Sequence, residues 1–505
     1  MLLLCCESLS AQSAGALDAD FDADGIAVYA PSRFRESSFG QALAIQPDGK
    51  ILLAGSASIV AGNAGNLTLL RVHPDGSPDP SFGDTEPGWS VEDTYVASFS
   101  ADAVAVLPDG NILAAGTNYD NTAFVFFHFG TAGWLQPDFG QRGISQVPFG
   151  NVCRLRAIAL QPDGKLVAAG EVREDQITHF ALTRIDPVSG AIDPAFSFDG
   201  KVTGDFNGAG AVAYAVAIQS DGKILAGGIS ANQFAMMRFL PDGSLDYSFG
   251  NQGKVLTYLG QEASLQAIAI QPDGKILAAG TAASVSWGLY PAFTLLRYLP
   301  DGSLDPSFGE SGAVSVPNGI LRSMALQADG KIVAAGTTYP QSGIQVLRFL
   351  PDGAPDPTFG TAGQSIVVAN AATTGMQLQP DGNIVVSGLR YSSTPGEAPV
   401  KACLVRFHAG VLATEVKEIP GISDISLYPN PVKDVLNCAF ELNGPARISI
   451  DLWDASGRRV GQIVSQVFDR GRQWVYFPVQ YLSPGVYQVK FKSNNNQKTL
   501  SFIKP

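Results

Sequence analysis

Three aspartates near the start of the chain have the spacing of a calcium-binding loop. Asp20, Asp22 and Asp24 alternate with other residues and are followed by Gly25. Such alternation brings hard oxygen ligands together around Ca²⁺. Pro31 stands where a calcium loop would supply its closing glutamate. We therefore expect no cofactor and no metal, with calcium at these three aspartates as the alternative.

Other residue types that could support catalysis are few and isolated. No histidine has a partnered serine, cysteine or carboxylate nearby in sequence, and each follows or lies beside an apolar run (His73, His128, His179 and His408). The motifs of serine hydrolases, phosphate-binding loops and zinc proteases are absent. Five scattered cysteines lack zinc-ligand spacing and suit small buried hydrophobic positions. The sequence therefore predicts no catalytic residue.

Most of the chain belongs to a repeated pattern that must position any site. An Asp-Gly pair followed by a hydrophobic run occurs seven times, with its aspartate at positions 48, 109, 163, 221, 273, 329 and 381. The number of residues between successive aspartates in this series is typical of propellers and solenoids. Each copy predicts four short strands separated by turns, at 267–271, 275–280, 293–299 and 313–316 in the fifth copy.

A second motif indicates that the array is closed. Leu-Asp-Pro-Ser-Phe-Gly follows the third strand, as at 304–309, but the seventh copy ends at Phe407 without it. The missing piece stands at the other end of the chain, as 17–25 followed by the strand 26–29. A ring whose closing blade is shared by N- and C-terminal strands requires this permutation and leaves no open sheet edge. We predict an all-β fold, a seven-bladed β-propeller with four-stranded blades over residues 15–410.

The repeats resemble the delta-60 repeat family of bacterial β-propeller-like proteins. The resemblance lies in the Gln-Pro-Asp-Gly-Lys-Ile and Leu-Arg-Tyr-Leu-Pro-Asp-Gly-Ser-Leu-Asp-Pro-Ser-Phe-Gly signatures, and it implies a fold without implying a reaction. The second repeat departs most, because Phe127-His-Phe-Gly-Thr-Ala-Gly133 replaces the usual arginine and Pro-Asp-Gly. We expect its blade to be the least regular.

A different pattern begins after a linker at 411–421. Alternating strands and Pro-Gly or Ser-Gly turns over 422–505 predict a small antiparallel β-sandwich. This segment resembles the type A C-terminal sorting domain of the Bacteroidetes type IX (Por) secretion system. The matching residues are Tyr428, Pro429, Asn430, Pro431, Gly457, Gly485, Tyr487, Lys498 and Lys504. The resemblance implies transit through the periplasm, recognition by the outer-membrane translocon, and release or attachment at the cell surface.

Variable loops predict where a ligand would bind. The loops between second and third strands differ in length and content among the repeats, and they share one rim with the loops between blades. Recognition is commonly carried by loops that vary on a rigid frame. We expect an aromatic-rich face for a surface glycan or protein ligand, formed by Arg33, Arg35, Tyr119, Arg173, Trp287, Tyr290, Tyr339 and Tyr391.

Composition limits the partners. The 505 residues include 46 acidic and 33 basic side chains, for a formal charge of −13, and this acidic excess argues against nucleic acid. No apolar run is long enough for a transmembrane helix. Residues 1–14, which begin Met-Leu-Leu-Leu-Cys-Cys, are similar to the end of a truncated signal peptide.

Together these features predict a secreted or outer-membrane-surface protein, with a monomeric propeller that acts as a non-catalytic binding or adhesion module. One alternative is a hydrolase or lyase acting on extracellular polysaccharide, and another is a structural surface-layer component. Two or three acids or an arginine cluster converging at the channel mouth would favour the enzyme. An apolar or merely solvated channel would favour binding.

Overall fold

The structure is a computed structural model. It describes residues 13–29, 36–58, 66–83, 86–92, 100–260, 262–283, 290–340, 342–367, 370–392, 400–410, 422–428, 434–454, 459–482, 485–493 and 496–504. The predicted linker at 411–421 and all but the last two residues of the predicted signal peptide lie outside these ranges.

The described chain is built from β-strands and divides into two compact units, Met1–Gly410 and Val411–Pro505. The strands of the first unit are β1 (Ile26–Tyr29), β2 (Glu36–Ile45), β3 (Ile51–Ser58), β4 (Asn66–Val72), β5 (Trp89–Glu92), β6 (Ser100–Val106), β7 (Ile112–Thr117), β8 (Ala123–Phe129), β9 (Ile144–Pro148), β10 (Cys153–Leu160), β11 (Leu166–Glu174), β12 (Ile177–Ile185), β13 (Lys201–Gly204), β14 (Ala211–Ile218), β15 (Ile224–Ser230), β16 (Gln233–Phe239), β17 (Lys254–Thr257), β18 (Glu262–Ile270), β19 (Ile276–Ala283), β20 (Pro291–Tyr298), β21 (Ala313–Pro317), β22 (Gly319–Leu326), β23 (Ile332–Thr338), β24 (Ile344–Phe349), β25 (Gln364–Val367), β26 (Ala371–Leu378), β27 (Ile384–Tyr391) and β28 (Val400–Phe407). No helix in the described ranges is long and apolar enough to cross a membrane.

Within the described residues these strands form seven four-stranded antiparallel sheets. Six sheets contain four consecutive strands, from β2–β5 to β22–β25, and the seventh has the order β1-β28-β27-β26. The first strands of successive sheets contact each other in turn, from β2 through β6, β10, β14, β18 and β22 to β26, and β26 contacts β2 again. The sheets are therefore the blades of a closed ring, with the first strand of each blade innermost. The predicted all-β propeller with four-stranded blades is confirmed.

The closing blade combines the two ends of the propeller. Strand β1 pairs with β28 in an antiparallel register that joins Ile26 to Val405 and Tyr29 to Ala402. The strand missing from the last repeat is thus supplied by the start of the chain, as the displaced motif predicts.

The middle strands of each blade are buried because neighbouring blades cover both faces. All seven residues of β8 and all six of β7 are buried, which explains their continuous apolar sequences. The Asp-Gly turns reverse the chain by a repeated device, in which the aspartate accepts a hydrogen bond from the backbone two residues on, as in Lys275 N to Asp273 Oδ1 at 3.1 Å. Gly274 follows with a φ of +83°, which favours glycine.

The second unit contains β29 (Ile422–Tyr428), β30 (Val435–Leu442), β31 (Ala446–Asp454), β32 (Arg459–Phe468), β33 (Gly471–Pro478), β34 (Gly485–Ser493) and β35 (Asn496–Lys504). They form one sheet of order β29-β30-β33 and one of order β32-β31-β34-β35. One apolar core joins side chains of both sheets, including Phe440, Ile450 and Phe491. This arrangement is a small antiparallel β-sandwich.

Candidate functional site

One rim of the propeller is held together by a repeated arginine. In six blades an arginine near the end of the third strand pairs at 2.7 to 2.9 Å with the aspartate of the Leu-Asp-Pro-Ser-Phe-Gly motif or of its variant copy, and its guanidinium lies 4.4 to 4.9 Å from the ring centre of the phenylalanine of the same copy. The arginine also reaches the next blade, as Arg297 Nη1 donates to the carbonyl of Pro351 at 2.6 Å. Six arginines and six aspartates on this rim are therefore paired within the architecture.

The second repeat replaces this arginine with His128. The imidazole is buried, and neither ring nitrogen has a hydrogen-bond partner among the described residues. It packs edge-on against Phe139, with 5.2 Å between the two ring centres. Burial lowers the pKa of His128. Strands β6 to β9 nevertheless form an ordinary four-stranded blade. The expected irregularity thus affects the side-chain network and leaves the strand pairing intact.

The opposite rim carries several of the predicted ligand-binding residues. Tyr119, Tyr290, Tyr339 and Tyr391 are exposed there, and Arg173 bonds to Gln176 within its own loop. The structure brings Tyr290 and Tyr339 together, with ring centres 6.0 Å apart. Arg33, Arg35 and Trp287 lie outside the described residues. A ligand-binding role for the whole set stays a prediction.

Backbone hydrogen bonds fix the start of three of these loops. Tyr339 N donates to the carbonyl of Asn318 at 3.0 Å, Tyr391 N to that of Asn370 at 2.8 Å, and Arg173 N to that of Val152 at 2.7 Å. In each case a second-strand loop is tied to the connection that enters the same blade. These side chains therefore project from a firmly held backbone.

The mouth of the central channel is lined by residues that the sequence analysis did not select. In six blades the innermost strand skips one residue in its pairing with the second strand, and these unpaired positions hold Asp102, Arg156, Tyr214, Gln266, Arg322 and Thr374. All six are polar and partly or fully exposed. Because a bulge releases one residue from the ladder, and these strands are innermost, we assign these side chains to the channel near the variable-loop rim.

Charged side chains concentrate on the second to fourth blades at this mouth. Arg156 Nη2 donates to Glu171 Oε1 at 2.8 Å, and its guanidinium lies 5.3 Å from the ring centre of Tyr214 on the next blade. Arg154 Nη2 lies 3.8 Å from Asp102 Oδ1 of the preceding blade. Arg156 therefore contacts a carboxylate of its own blade and a phenol of the next, while Arg154 lies near a carboxylate of the preceding blade.

Glu171 replaces a residue that is structural in other blades. Thr117, Thr281 and Thr337 occupy the same position in the second strand, and each accepts a hydrogen bond from a backbone N–H of the next blade, as in Leu155 N to Thr117 Oγ1 at 2.9 Å. Glu171 instead accepts from Arg156 in its own blade. The third blade thus exchanges an architectural hydroxyl for a carboxylate that orients an arginine of the channel mouth.

Beyond this mouth the innermost strands turn aliphatic. The residues after the bulge are partly exposed and apolar in the third, fourth and fifth blades, at Ile158, Leu160, Val216, Ile218, Ile268 and Ile270. The channel therefore has a polar mouth above a mostly apolar wall.

The candidate metal residues and the cysteines have ordinary surroundings. Asp20, Asp22 and Asp24 are exposed, and Asp24 Oδ1 accepts a hydrogen bond from Ile26 N at 2.9 Å. Partial burial, with the charges of Asp24 and Asp75, raises the pKa of Asp22. Among the described residues no three His, Cys, Asp or Glu side chains form a metal-binding group. Cys153, Cys403 and Cys438 are buried, and burial raises their pKa to about 12.

The sorting-domain residues are only partly described. Gly485 begins β34, Tyr487 is buried in the sandwich core, and Tyr428 and Lys504 end β29 and β35. Lys498 lies within β35. Pro429, Asn430, Pro431 and Gly457 lie outside the described residues.

Fold and sequence together define a β-propeller that carries a β-sandwich for export. Residues 46–82, 161–196, 219–249, 271–308 and 327–359 match the "Domain of unknown function (DUF5122) beta-propeller" family, and residues 426–505 match the "Secretion system C-terminal sorting domain". The five matched repeats therefore belong to the first family and the matched C-terminal segment to the second. This combination makes the chain a secreted or cell-surface protein.

Solved structures with a similar fold are distant in sequence. A fungal alcohol oxidase of the AA5 family in complex with copper is 12% identical, covering 94% of this chain and 99% of that one, with a TM-score of 0.42. Chaetomium thermophilum Sqt1 is 12% identical over 77% of this chain and 98% of its own, with a TM-score of 0.46. The polysaccharide lyase Uly1 is 11% identical, covering 75% of this chain and 91% of that one, with a TM-score of 0.41. A search of curated proteins gives no match.

Proposed function

We propose that the propeller is a non-catalytic binding module of the cell surface, which holds a glycan or protein ligand on its variable-loop rim. The observation that carries this proposal is the pair formed by Tyr290 and Tyr339. The two side chains come from neighbouring blades, are 47% and 42% exposed, and lie 6.0 Å apart between ring centres. Exposed aromatic side chains held by a rigid frame are common anchors of binding surfaces.

The channel mouth carries the arginines and acids that would favour an enzyme, but the way they are paired supports binding over hydrolysis. Glycoside hydrolysis commonly uses two carboxyl groups across the scissile bond, one of them kept protonated to act as an acid. At the described mouth, Glu171 accepts a hydrogen bond from Arg156 and Asp102 lies 3.8 Å from Arg154, so each carboxyl group already has an arginine partner. The aliphatic wall below adds no catalytic group. Both features fit a surface that holds a ligand without cleaving it.

The sorting domain supports the location of this activity. Its match over 426–505 implies interaction with the secretion system during export. The propeller and the sandwich are separate compact units. Export and ligand binding are therefore assigned to different parts of the chain, and a variant of one rim can be tested without altering the other unit.

A glycan array followed by titration calorimetry with the full chain tests the proposal. We expect Tyr290→Ala combined with Tyr339→Ala to weaken binding at least tenfold, as the loss of a binding hot spot does. The matched control is Tyr247→Ala, because Tyr247 is 73% exposed but lies in a turn after the third strand, on the rim that does not carry the variable loops. Unchanged affinity in the double variant would contradict the proposal. Release of shortened glycan by the wild-type chain would favour the hydrolase or lyase.

A further inference from the structure

We propose that the channel mouth binds carboxylate groups of an acidic polysaccharide through Arg154, Arg156 and Arg322. This inference rests on the proposed function and names the chemical class of its ligand. Arg156 and Arg322 occupy the bulge position of the third and sixth blades, and Arg154 lies two residues before the first of them. Three arginines therefore line one end of the channel.

The local charge at this mouth is opposite to that of the whole chain. The set counted here is the six bulge positions together with Arg154 and Glu171. These described side chains carry three positive charges and two negative ones, whereas the whole chain has a net charge of −13. Arg154 is about half exposed at its side chain (49%). An anionic ligand is thus attracted to a mouth where, among these described positions, arginines outnumber acids.

Arg156 is oriented before any ligand arrives. Its guanidinium is fixed by Glu171 at 2.8 Å and by the face of Tyr214 at 5.3 Å. A guanidinium has five N–H donors, so the bond to Glu171 leaves donors for a second carboxylate. Arginine binds carboxylates in a planar, two-bond geometry, and a side chain already held in place loses little entropy when it does so.

The neighbouring tyrosines indicate a polysaccharide rather than a small anion. Tyr339 N is bonded to the carbonyl of Asn318, one residue before β22, the strand that carries Arg322. The tyrosine pair and Arg322 therefore belong to the same end of the ring. Aromatic side chains can cover the apolar faces of sugars while arginines bind their acidic groups. The aliphatic wall keeps the charged groups at the mouth.

Calorimetry of the full chain with polygalacturonate and with its fully methyl-esterified form tests the inference, because the two polymers share a backbone and differ in charge. We expect at least tenfold tighter binding of polygalacturonate, weakened by salt. Arg156→Gln and Arg322→Gln should each reduce that affinity on the order of tenfold. Glu171→Gln should increase it, since it frees Arg156 from its internal partner. Arg142→Gln, in an exposed turn of the rim that does not carry the variable loops, should leave the affinity for polygalacturonate unchanged.

Two further arms keep the result decisive. Arg156→Gln combined with Glu171→Gln leaves net charge unchanged and no partly buried carboxylate without a partner, and it should bind as weakly as Arg156→Gln alone. Equal affinity for the acidic and esterified polymers, or tighter binding of dextran sulfate, would overturn the inference. If Tyr290→Ala with Tyr339→Ala still weakened binding in that case, the proposed function would stand. Absence of binding to any glycan would reject the inference and limit the proposed function to a protein ligand.

Discussion

Arg406 and Asp18 form a buried salt bridge that joins the two ends of the propeller. Arg406 Nε lies 2.7 Å from Asp18 Oδ2, with side-chain exposures of 8% and 2%. The same guanidinium lies 4.9 Å from the centre of Phe21 and donates to the carbonyl of Pro74 in the next blade. Five other blades build the same arrangement from a single repeat. The ring is therefore closed by side chains as well as by the pairing of β1 with β28.

We expect Asp18→Asn to open this closure. Removing one partner of a buried ion pair leaves the other charge uncompensated, which costs roughly 3–5 kcal/mol in comparable cases. The urea midpoint should fall, and the amides of β1 should exchange with deuterium faster than in the wild type, because that strand lies at the outer edge of its blade and pairs with β28 alone among the described strands.

The matched control is Asp246→Asn, which breaks the equivalent pair with Arg238 at 2.8 Å inside one repeat. It should lower the midpoint similarly while leaving exchange in β1 slow. Equal protection of β1 in both variants would show that strand pairing alone closes the ring.

Turn chemistry made the blades predictable, whereas the channel mouth was not. The Asp-Gly pairs and the displaced 17–25 segment carry local signals, because glycine and aspartate favour turn conformations. In the fifth blade the prediction began the inner strand at 267, but β18 begins at Glu262. The missed residues contain the bulge at Gln266. A bulge depends on the partner strand, and Leu-Gln-Ala has no sequence feature that marks one.

The pairing of Arg156 with Glu171 was equally hidden. The two residues lie on adjacent strands, where Glu171 is paired with Arg154, and Arg156 reaches that carboxylate from the unpaired position between Leu155 and Ala157. Comparison among the repeats offered one usable signal, since a glutamate stands at 171 where four other copies have serine or threonine and the remaining two have isoleucine or leucine. Most of the candidate site thus depends on register, while the fold depends on turns.

The second blade offers a test of the repeated network. Gln136 and His128 stand where other blades have the aspartate and the arginine. We expect His128→Arg alone to destabilise the fold by roughly 3 kcal/mol, because it buries a charge without an acidic partner. Adding Gln136→Asp should restore most of that loss by rebuilding the pair over Phe139.

Thermal midpoints of the wild type and of the single and double variants, at one pH and ionic strength, measure this coupling. Gln136→Asp alone is the control, and it too should destabilise. A double variant no more stable than the sum of the two single changes would mean that the second blade cannot accommodate the network.

Stability should fall in acid because the motif aspartates are held ionised. Burial alone would raise the pKa of Asp246, but hydrogen bonds from Ser248, the charge of Arg238 and a hydrogen bond from Lys223 outweigh it and lower the pKa to about 2, from a usual 3.8. The pKa of Asp356 is lowered to about 2 in the same way. A carboxyl group whose pKa is lower in the folded state stabilises the fold at pH values above its pKa in the unfolded state. This contribution is lost as the pH falls through its pKa in the folded state.

The thermal midpoint should therefore be level above pH 4 and drop steeply between pH 3.8 and about 2. Asp246→Asn should lower the midpoint at neutral pH but make this drop shallower, since one titrating group is gone. A profile whose steepness is unchanged by that substitution would assign the acid sensitivity to other groups.

Export should depend on a folded sandwich rather than on its sequence alone. Tyr487 is buried in the core of the second unit, on a strand that pairs with both β31 and β35. Tyr487→Ala would leave a cavity costing about 3–5 kcal/mol, enough to unfold a domain of this size. We expect this variant, like deletion of 422–505, to remain in the periplasm, while Tyr487→Phe, which keeps the ring, reaches the surface. Protease accessibility on intact cells distinguishes the two locations. Normal display of a Tyr487→Ala protein whose sandwich is shown to be unfolded would mean that the secretion system reads an extended segment instead.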